Sequence, residues 1–472
     1  MLCAEYIQKG IGMNKNKITI LNICSTVILQ GLAFFSGPIF SSALGTSNYG
    51  IATTYFAWVQ IASIIFSLQA TGTVALARVK FPLEDQPRFQ SSVLSLATLS
   101  YMCFSAVTLA VVSVLSRFTN ISFLMVLVGL LHGWGMDCVG FLNGKFIYEF
   151  KAGKNFFLSV VTSVLTIGVS LLLVFVFPSE VNYWGRILGQ GGVYAVMGVI
   201  IYIITLRKGK LFYSKEYWKF TLPITIPTVF HSLSNMLMHH SDKVMLQMFT
   251  TNSDVGIYAL ACTFSSVLNT IWGAFNKSWS PFFYEYMKHG QIEKMRKHAK
   301  NYIELFTILC IGFVLLAREV FHLYADDRFW GGTGFITLFS VGYYFIFLYS
   351  FPVNFEFFKE KTKTIAVGTT CAAICNIVLN YVFIMLWGVI GAVIATLVSH
   401  GLQFFFHYIC GKRIDPAQFP FKMMDFIPGL LAVLAACVFY AFTKELWLIR
   451  WLVGAALGIY LLIKMVKRKS IF

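Results

Sequence analysis

The stretch TLPITIPTVFHSLSNMLMHHSDKVMLQMFTTNSDVGIYALACTFSSVLNTIWGAFNKSWSPFFYEY, Thr221–Tyr286, reads as two membrane-spanning helices joined by a short polar turn. A step of about 100° per residue puts Pro227, His231, Ser234, Asn235, His239, Ser241 and Asp242 on one half of the first helix. Val229, Phe230, Leu233, Met236, Leu237 and Val244 fall on the other half. On the second helix Tyr258, Ser265, Ser266, Asn269, Gly273, Asn276 and Ser280 form a similar stripe, with Lys277 at its edge. Polar groups at bilayer depth must face water, a ligand or one another. Small, weakly polar residues also let membrane helices approach closely, and packing is the plainer reading of any single Ser or Gly. Asp242 and Lys277 fit that reading less well, because an ionised group within a span costs about 2.5–3.5 kcal/mol on insertion scales. Even with part of that cost escaped by snorkelling, the paired stripes predict a hydrated cavity.

Composition sets the class. A chain of 472 residues that is 57% hydrophobic, 17% aromatic and 12% charged is too apolar for a soluble protein. Hydrophobic runs predict fourteen spans, beginning near Ile18, Ile51, Ser91, Ile121, Phe156, Tyr183, Thr221, Val255, Tyr302, Gly332, Thr364, Gly388, Asp425 and Leu446. Their apolar continuity excludes a transmembrane barrel, so the predicted fold is all-α.

The net charge of +17 suggests nucleic acid at first sight, but the positions of the charges argue against it. Of 37 Lys and Arg, 29 fall at the two ends of the chain and in the loops after even-numbered spans. This positive-inside alternation predicts cytoplasmic termini and checks the span count, since one missed helix would invert everything after it. No short apolar core followed by small residues opens the chain, so the first span is expected to be retained; Met13 of MNKNK is an alternative start. Cys371 and Cys375 lie one helical turn apart without partner His or Cys, which points to structural thiols and to neither metal nor disulfide.

Span 1 carries Asn22, Thr26 and Gln30 on one face, and span 2, after the turn ALGTSNYG, aligns Thr53, Gln60, Ser63, Ser67, Thr71 and Arg78. Gly50-Ile51 superposes on Gly256-Ile257 at an offset of 206, and YWGRILG at Tyr183 on LWGVIGA at Leu386 at an offset of 203. Two matches at nearly the same offset predict an internal repeat of six spans. An even number makes the halves parallel: an N-terminal lobe over 1–210, a C-terminal lobe over 211–424, and an extra helix pair with a basic tail over 425–472. Further charges enter as His132 and Asp137 in HGWGMD, Arg186 near the start of span 6, and Arg318 and Glu319 near the outer end of span 9. For Arg186, Arg318 and Glu319, interfacial anchoring and a cavity role weigh equally.

The loops leave no room for a soluble catalytic domain, and GxxxxGK[ST], HExxH and GxSxG are all missing from the chain. His239 and His240 point to different helix faces, a poor metal site. The reading is therefore of a non-enzyme without cofactor or metal.

With its fourteen spans in two parallel halves plus a pair, the turns SNYGI and DVGIY, SDKVMLQMF, WGRILGQ at Trp184 and NKSWSPFFYEYM at Asn276, the chain resembles polysaccharide flippases of the Wzx type. These belong to the multidrug/oligosaccharidyl-lipid/polysaccharide exporter superfamily. The resemblance implies a multi-pass protein of the bacterial cytoplasmic membrane that moves undecaprenyl-pyrophosphate-linked oligosaccharide units between leaflets by alternating access. Such units feed capsule or O-antigen assembly, and a polysaccharide polymerase is an implied partner alongside membrane lipids. A pyrophosphate needs cations in a wet cavity, and sugars need amides, hydroxyls and aromatic faces. On stripe and depth, Arg78 and Lys277 are expected at the inward mouth and Arg186 and Lys243 on the outward side. Gln30, Gln60, His231, Asn235, Asn269 and Asn276 are the expected polar lining, and Asp137 and Asp242 the expected proton or sodium coupling sites. The alternatives are a cation-coupled multidrug exporter of the same superfamily, which would want buried carboxylates where this chain leans basic, and a membrane glycan polymerase, which would want a large outer loop.

Overall fold

The computed structural model describes residues 15–115, 122–149 and 151–468, with the side chains of 15–30, 33, 79, 115, 465, 467 and 468 outside it; the described residues form helices and no strand. In chain order the helices are α1 Lys15–Phe66, α2 Val74–Lys80, α3 Gln86–Leu115, α4 Phe123–Tyr148, α5 Ala152–Val176, α6 Tyr183–Gly209, α7 Lys215–Phe249, α8 Asn252–Ser265, α9 Val267–Lys288, α10 Ile292–Tyr324, α11 Thr333–Phe358, α12 Thr362–Trp387, α13 Val389–Ile414, α14 Ile427–Phe442 and α15 Trp447–Arg468. Among the described residues ten helical runs are long and apolar enough to cross a membrane. α7 is not one of them: its 35 residues span about 52 Å, but Pro, His, Ser and Asn dilute its apolar character.

Two turns are tighter than the sequence suggests. ALGTSNYG is largely helical, and α1 breaks only at Gly45, whose φ of 70° and ψ of 175° lie outside the helical region. Between α7 and α8 the chain reverses over Thr250 and Thr251. Thr251 caps α8 by accepting from the Asp254 amide at 3.2 Å, while Asp254 accepts from the Thr251 amide at 3.1 Å.

The chain divides into two compact units. Unit 1 comprises Met1–Leu44 and Tyr55–Leu233. In it α6 packs along α4 and α5, and Phe81, Phe89 and Tyr217 form an aromatic knot with ring centroids 5.1–5.4 Å apart. Gln86 pins the α2–α3 turn by donating to the carbonyls of Ala77 and Phe81 at 3.1 and 3.0 Å.

Unit 2 comprises Gly45–Thr54 and Ser234–Phe472. Here α13 packs along α11 and α12, and Trp279, Tyr302, Phe306, Phe347 and Phe351 belong to the buried core. The Phe306 and Phe347 rings stack at 4.3 Å. The last helix is attached by polar contacts. Arg450, fully buried, pairs with Glu319 on α10 and donates to the carbonyls of Leu315 and Thr443 at 2.7 and 3.0 Å. Further along, Lys464 pairs with Glu304, which also accepts from Tyr460 at 3.0 Å. Arg318 pairs with Glu445 at 2.7 Å. In this structure Arg318 and Glu319 therefore hold the terminal helices.

Candidate functional site

In unit 1 the ends of α2, α4 and α6 and the starts of α3 and α5 surround a cavity of about 600 Å³. Arg78, Lys145, Lys151, Lys154 and Lys208 line it against a single carboxylate, Glu149. Arg78 is oriented by its Nη1, which donates to the Tyr148 carbonyl at 2.5 Å. Glu149 lies 2.5 Å from Lys151 Nζ and 3.9 Å from Lys145 Nζ. Burial pushes the Glu149 carboxyl up, but the Lys151 hydrogen bond and the two lysine charges outweigh it and hold the carboxyl below its ordinary range. Gln86 and Gln90, both buried, add amides to the wall. Five cations around a cleft with low-dielectric walls concentrate positive potential, the arrangement that holds a phosphate.

At the other end of α6, the guanidinium of Arg186 stacks over the Phe40 ring at 4.3 Å and lies 5.4 Å from the Phe56 ring. His132 stacks between Tyr55 and Tyr194, at 5.8 and 5.2 Å, with its Nδ1 3.3 Å from the Tyr55 hydroxyl. Asp137 is half-buried on α4, with Ser67 and Thr71 hydrogen-bonding to it.

Unit 2 carries a buried polar seam. Ser241 on α7 donates to Asn376 Oδ1 at 3.3 Å, Asn380 donates to the same oxygen at 3.0 Å, and Asn376 donates to Ser399 on α13 at 3.2 Å. Ser234 is 3.2 Å from Thr370 on α12. Asp242 accepts from the Tyr258 hydroxyl and from the Lys243 amide at 2.8 Å. The half-buried Lys243 lies 3.9 Å from Asp242 and donates to the His239 carbonyl at 3.1 Å. A cavity of about 30 Å³ beside His239, Asp242, Cys262, Tyr343 and His400 is room for about one water. Within unit 2, α7 from Ser234 to Asp242 is therefore bonded to its neighbours, as the packing reading of its serines anticipates.

The remaining predicted residues are dispersed. Asn276 joins Ser280 and Asn354, accepting from Asn354 Nδ2 at 3.4 Å. Asn269 is half-buried, its Oδ1 enclosed without a hydrogen-bond partner among the described residues. Lys277 is exposed, Gln60 and Asn235 are half-buried, His231 is exposed, and the Gln30 side chain lies outside the described residues. Sequence reasoning named Arg78 but missed the four lysines that share its cavity, because they lie 67 or more positions further along the chain. It also missed Asn376 and Asn380, whose i, i+4 spacing on an apolar helix was a legible signal.

The described residues thus form a strand-free multi-pass fold with a basic cavity in unit 1 and a buried polar seam in unit 2. Two solved structures share it: lipid II flippase MurJ in an inward closed conformation, TM-score 0.73 at 16% identity over 95% of this chain and 99% of that one, and an inward-facing multidrug resistance MATE transporter of the MOP superfamily, TM-score 0.59 at 14% identity over 84% and 99%. The profile of the family described as polysaccharide biosynthesis protein matches residues 16–287, and the chain belongs to that family. Among curated proteins, Lsg locus putative protein 1 of Haemophilus influenzae is 23% identical over 161 residues, and an uncharacterised membrane protein of the same organism is 23% identical over 170. These matches span 34% of this chain and about 40% of the length of those relatives.

Proposed function

We propose that the chain is a flippase that carries undecaprenyl-pyrophosphate-linked oligosaccharide units across the bacterial cytoplasmic membrane for surface polysaccharide assembly, capsule or O-antigen. The observation that carries this reading is the cavity of unit 1, where five cations meet one carboxylate. A basic cleft suits a diphosphate anion and repels the cationic amphiphiles of a drug exporter. Fourteen spans with both termini cytoplasmic, arranged as lobes over 1–210 and 211–424 with a helix pair over 425–472, complete the reading. Its support is the alternation of Lys and Arg along the loops. In this scheme Arg78 and Lys277 meet the head group from the cytoplasm, and Arg186 and Lys243 serve the outward side. Gln30, Gln60, His231, Asn235, Asn269 and Asn276 contact sugar. Asp137 or Asp242 takes the coupling proton or sodium ion, and a polysaccharide polymerase receives the product. The test is movement of a fluorescent lipid-linked oligosaccharide between the leaflets of proteoliposomes. Movement with the protein and none without it supports the reading; failure with that lipid but efflux of a cationic drug would reassign the chain to drug export.

A further inference from the structure

Glu356 on α11 and His407 on α13 are both fully buried, and His407 Nδ1 lies 2.7 Å from Glu356 Oε2. The other polar atom of each, Glu356 Oε1 and His407 Nε2, is enclosed without a hydrogen-bond partner among the described residues. The ring is wedged between Tyr349, whose ring centroid is 5.0 Å away, and Gly368 on α12, where a Cβ would fall 2.5 Å from Nε2. Glu356 is close enough to act on two further titratable groups, Tyr349 and Cys410, on the same two helices. α12 contributes Gly368 and Thr369 there, neither of them titratable. The nearest fixed charges along these helices are Lys359, which closes α11 through Asp415 at 2.6 Å, and Lys412 and Arg413 in the last turn of α13.

Charge counting limits what such a pair can hold. An ionised Glu356 beside a neutral His407 leaves one net negative charge in a dry interior, and two added protons leave one net positive charge; both are costly. With one proton the pair is neutral, whichever residue carries it, and the two groups bind that proton as a unit. Simple helix cohesion does not require an ionisable pair, since a neutral amide and hydroxyl already join α12 and α13 at Asn376 and Ser399. We propose that Glu356 and His407 form a one-proton binding site in unit 2, which exchanges its proton with water when the seam between α11 and α13 opens. On release the proton passes from the pair to water, and the pair goes from neutral to singly negative, a state that needs hydration and so opposes closure. Glu356 lies two residues from the end of α11, within one helical turn of the half-exposed Lys359–Asp415 pair, so the water has a short path. What the proton drives rests on the flippase reading; its binding does not.

The binding test therefore uses no substrate. The full chain in lipid nanodiscs is titrated between about pH 5 and pH 8 while infrared difference spectra follow carboxylate and imidazole bands. One titration step is expected, lost in Glu356→Gln and in His407→Asn alike. A step that survives in either variant, or none in the wild type, overturns the site. Should the single variants fail to fold, the double variant E356Q/H407N keeps a neutral hydrogen-bonded pair and must lack the step. In proteoliposomes with a pH-sensitive dye in the lumen, wild-type transport of the lipid-linked oligosaccharide is expected to shift lumenal pH, and the double variant to lose a measurable part of that shift per lipid moved, the remainder staying with the coupling ion at Asp137 or Asp242. An unchanged shift overturns the coupling. Absence of any lipid movement by the wild type would sink the flippase reading and leave the infrared result standing.

Discussion

Gly50 and Gly256 meet each other's backbones: a Cβ on Gly50 would collide with the carbonyl of Asn252 and stand 2.9 Å from the Gly256 nitrogen, and one on Gly256 would collide with the carbonyl of Thr46 and stand 3.2 Å from the Gly50 nitrogen. The contact is reciprocal under the offset of 206 read from the sequence, which carries Thr46 onto Asn252 and Gly50 onto Gly256. Only a residue without a side chain permits this approach. Replacing either glycine by alanine is expected to cost about 1–3 kcal/mol through overpacking, read as a lower melting temperature of the detergent-solubilised protein. Gly273→Ala, with nothing near its added methyl, should stay within about 0.5 kcal/mol.

Arg450 and Glu319 supply a second test. Arg450→Met leaves Glu319 partly buried beside an apolar side chain, and loss of one partner of a buried pair costs about 3–5 kcal/mol. The double variant R450M/E319L removes both charges and is expected to recover most of that loss in a double-mutant cycle on thermal stability. Additive losses would show that the two side chains act separately.

Arg78→Ala, alone or with Lys277→Ala, is expected to lower glycan export while leaving the amount of protein in the membrane unchanged. Export at the full rate with both replaced would remove them from the mechanism.

Lys151→Ala combined with Lys154→Ala should weaken the binding of inorganic pyrophosphate to the purified protein, and Glu149→Gln should strengthen it. Both effects should shrink as salt is raised, since the cavity opens to solvent and its charges are screened. Calorimetric titration at two ionic strengths decides the matter, and equal affinity in all variants would contradict the anion site.

Asn376→Leu removes the acceptor shared by Ser241 and Asn380 and the donor to Ser399. Buried hydroxyls and amides left unpaired cost about 1–3 kcal/mol, so this variant should melt below the wild type. An unchanged melting temperature would mean that the seam carries little of the packing.

The helical, multi-pass character was legible because lipid imposes it residue by residue: a run of about twenty apolar side chains has few other uses. Charge alternation along the loops was legible for the same reason, as it needs no knowledge of contacts. The destinations of the polar stripe on α7 were not. Ser241 meets Asn376 across 135 positions of sequence, and periodicity tells which face a residue occupies but not what stands opposite. The Glu356–His407 pair shows the same limit: each looks like a lone polar residue near a helix end, and only folding brings them within 2.7 Å. The role of Arg450 was equally illegible, because its Leu315 acceptor on α10 lies 135 positions away.

The attachment of α15 bears on how the chain assembles. Glu319 meets Arg450 and Glu304 meets Lys464, two antiparallel clasps about 21 Å apart along the last helix. In oil one greasy flank is much like another, so an apolar helix can slide by a turn at little cost. Fourteen residues apart on α15 and fifteen apart on α10, the two clasps are satisfied together in one alignment, and a slip of one turn strands both. The final helix thus carries its own address, and it can be threaded late, after the rest of the bundle has formed, and still come to rest in a single place.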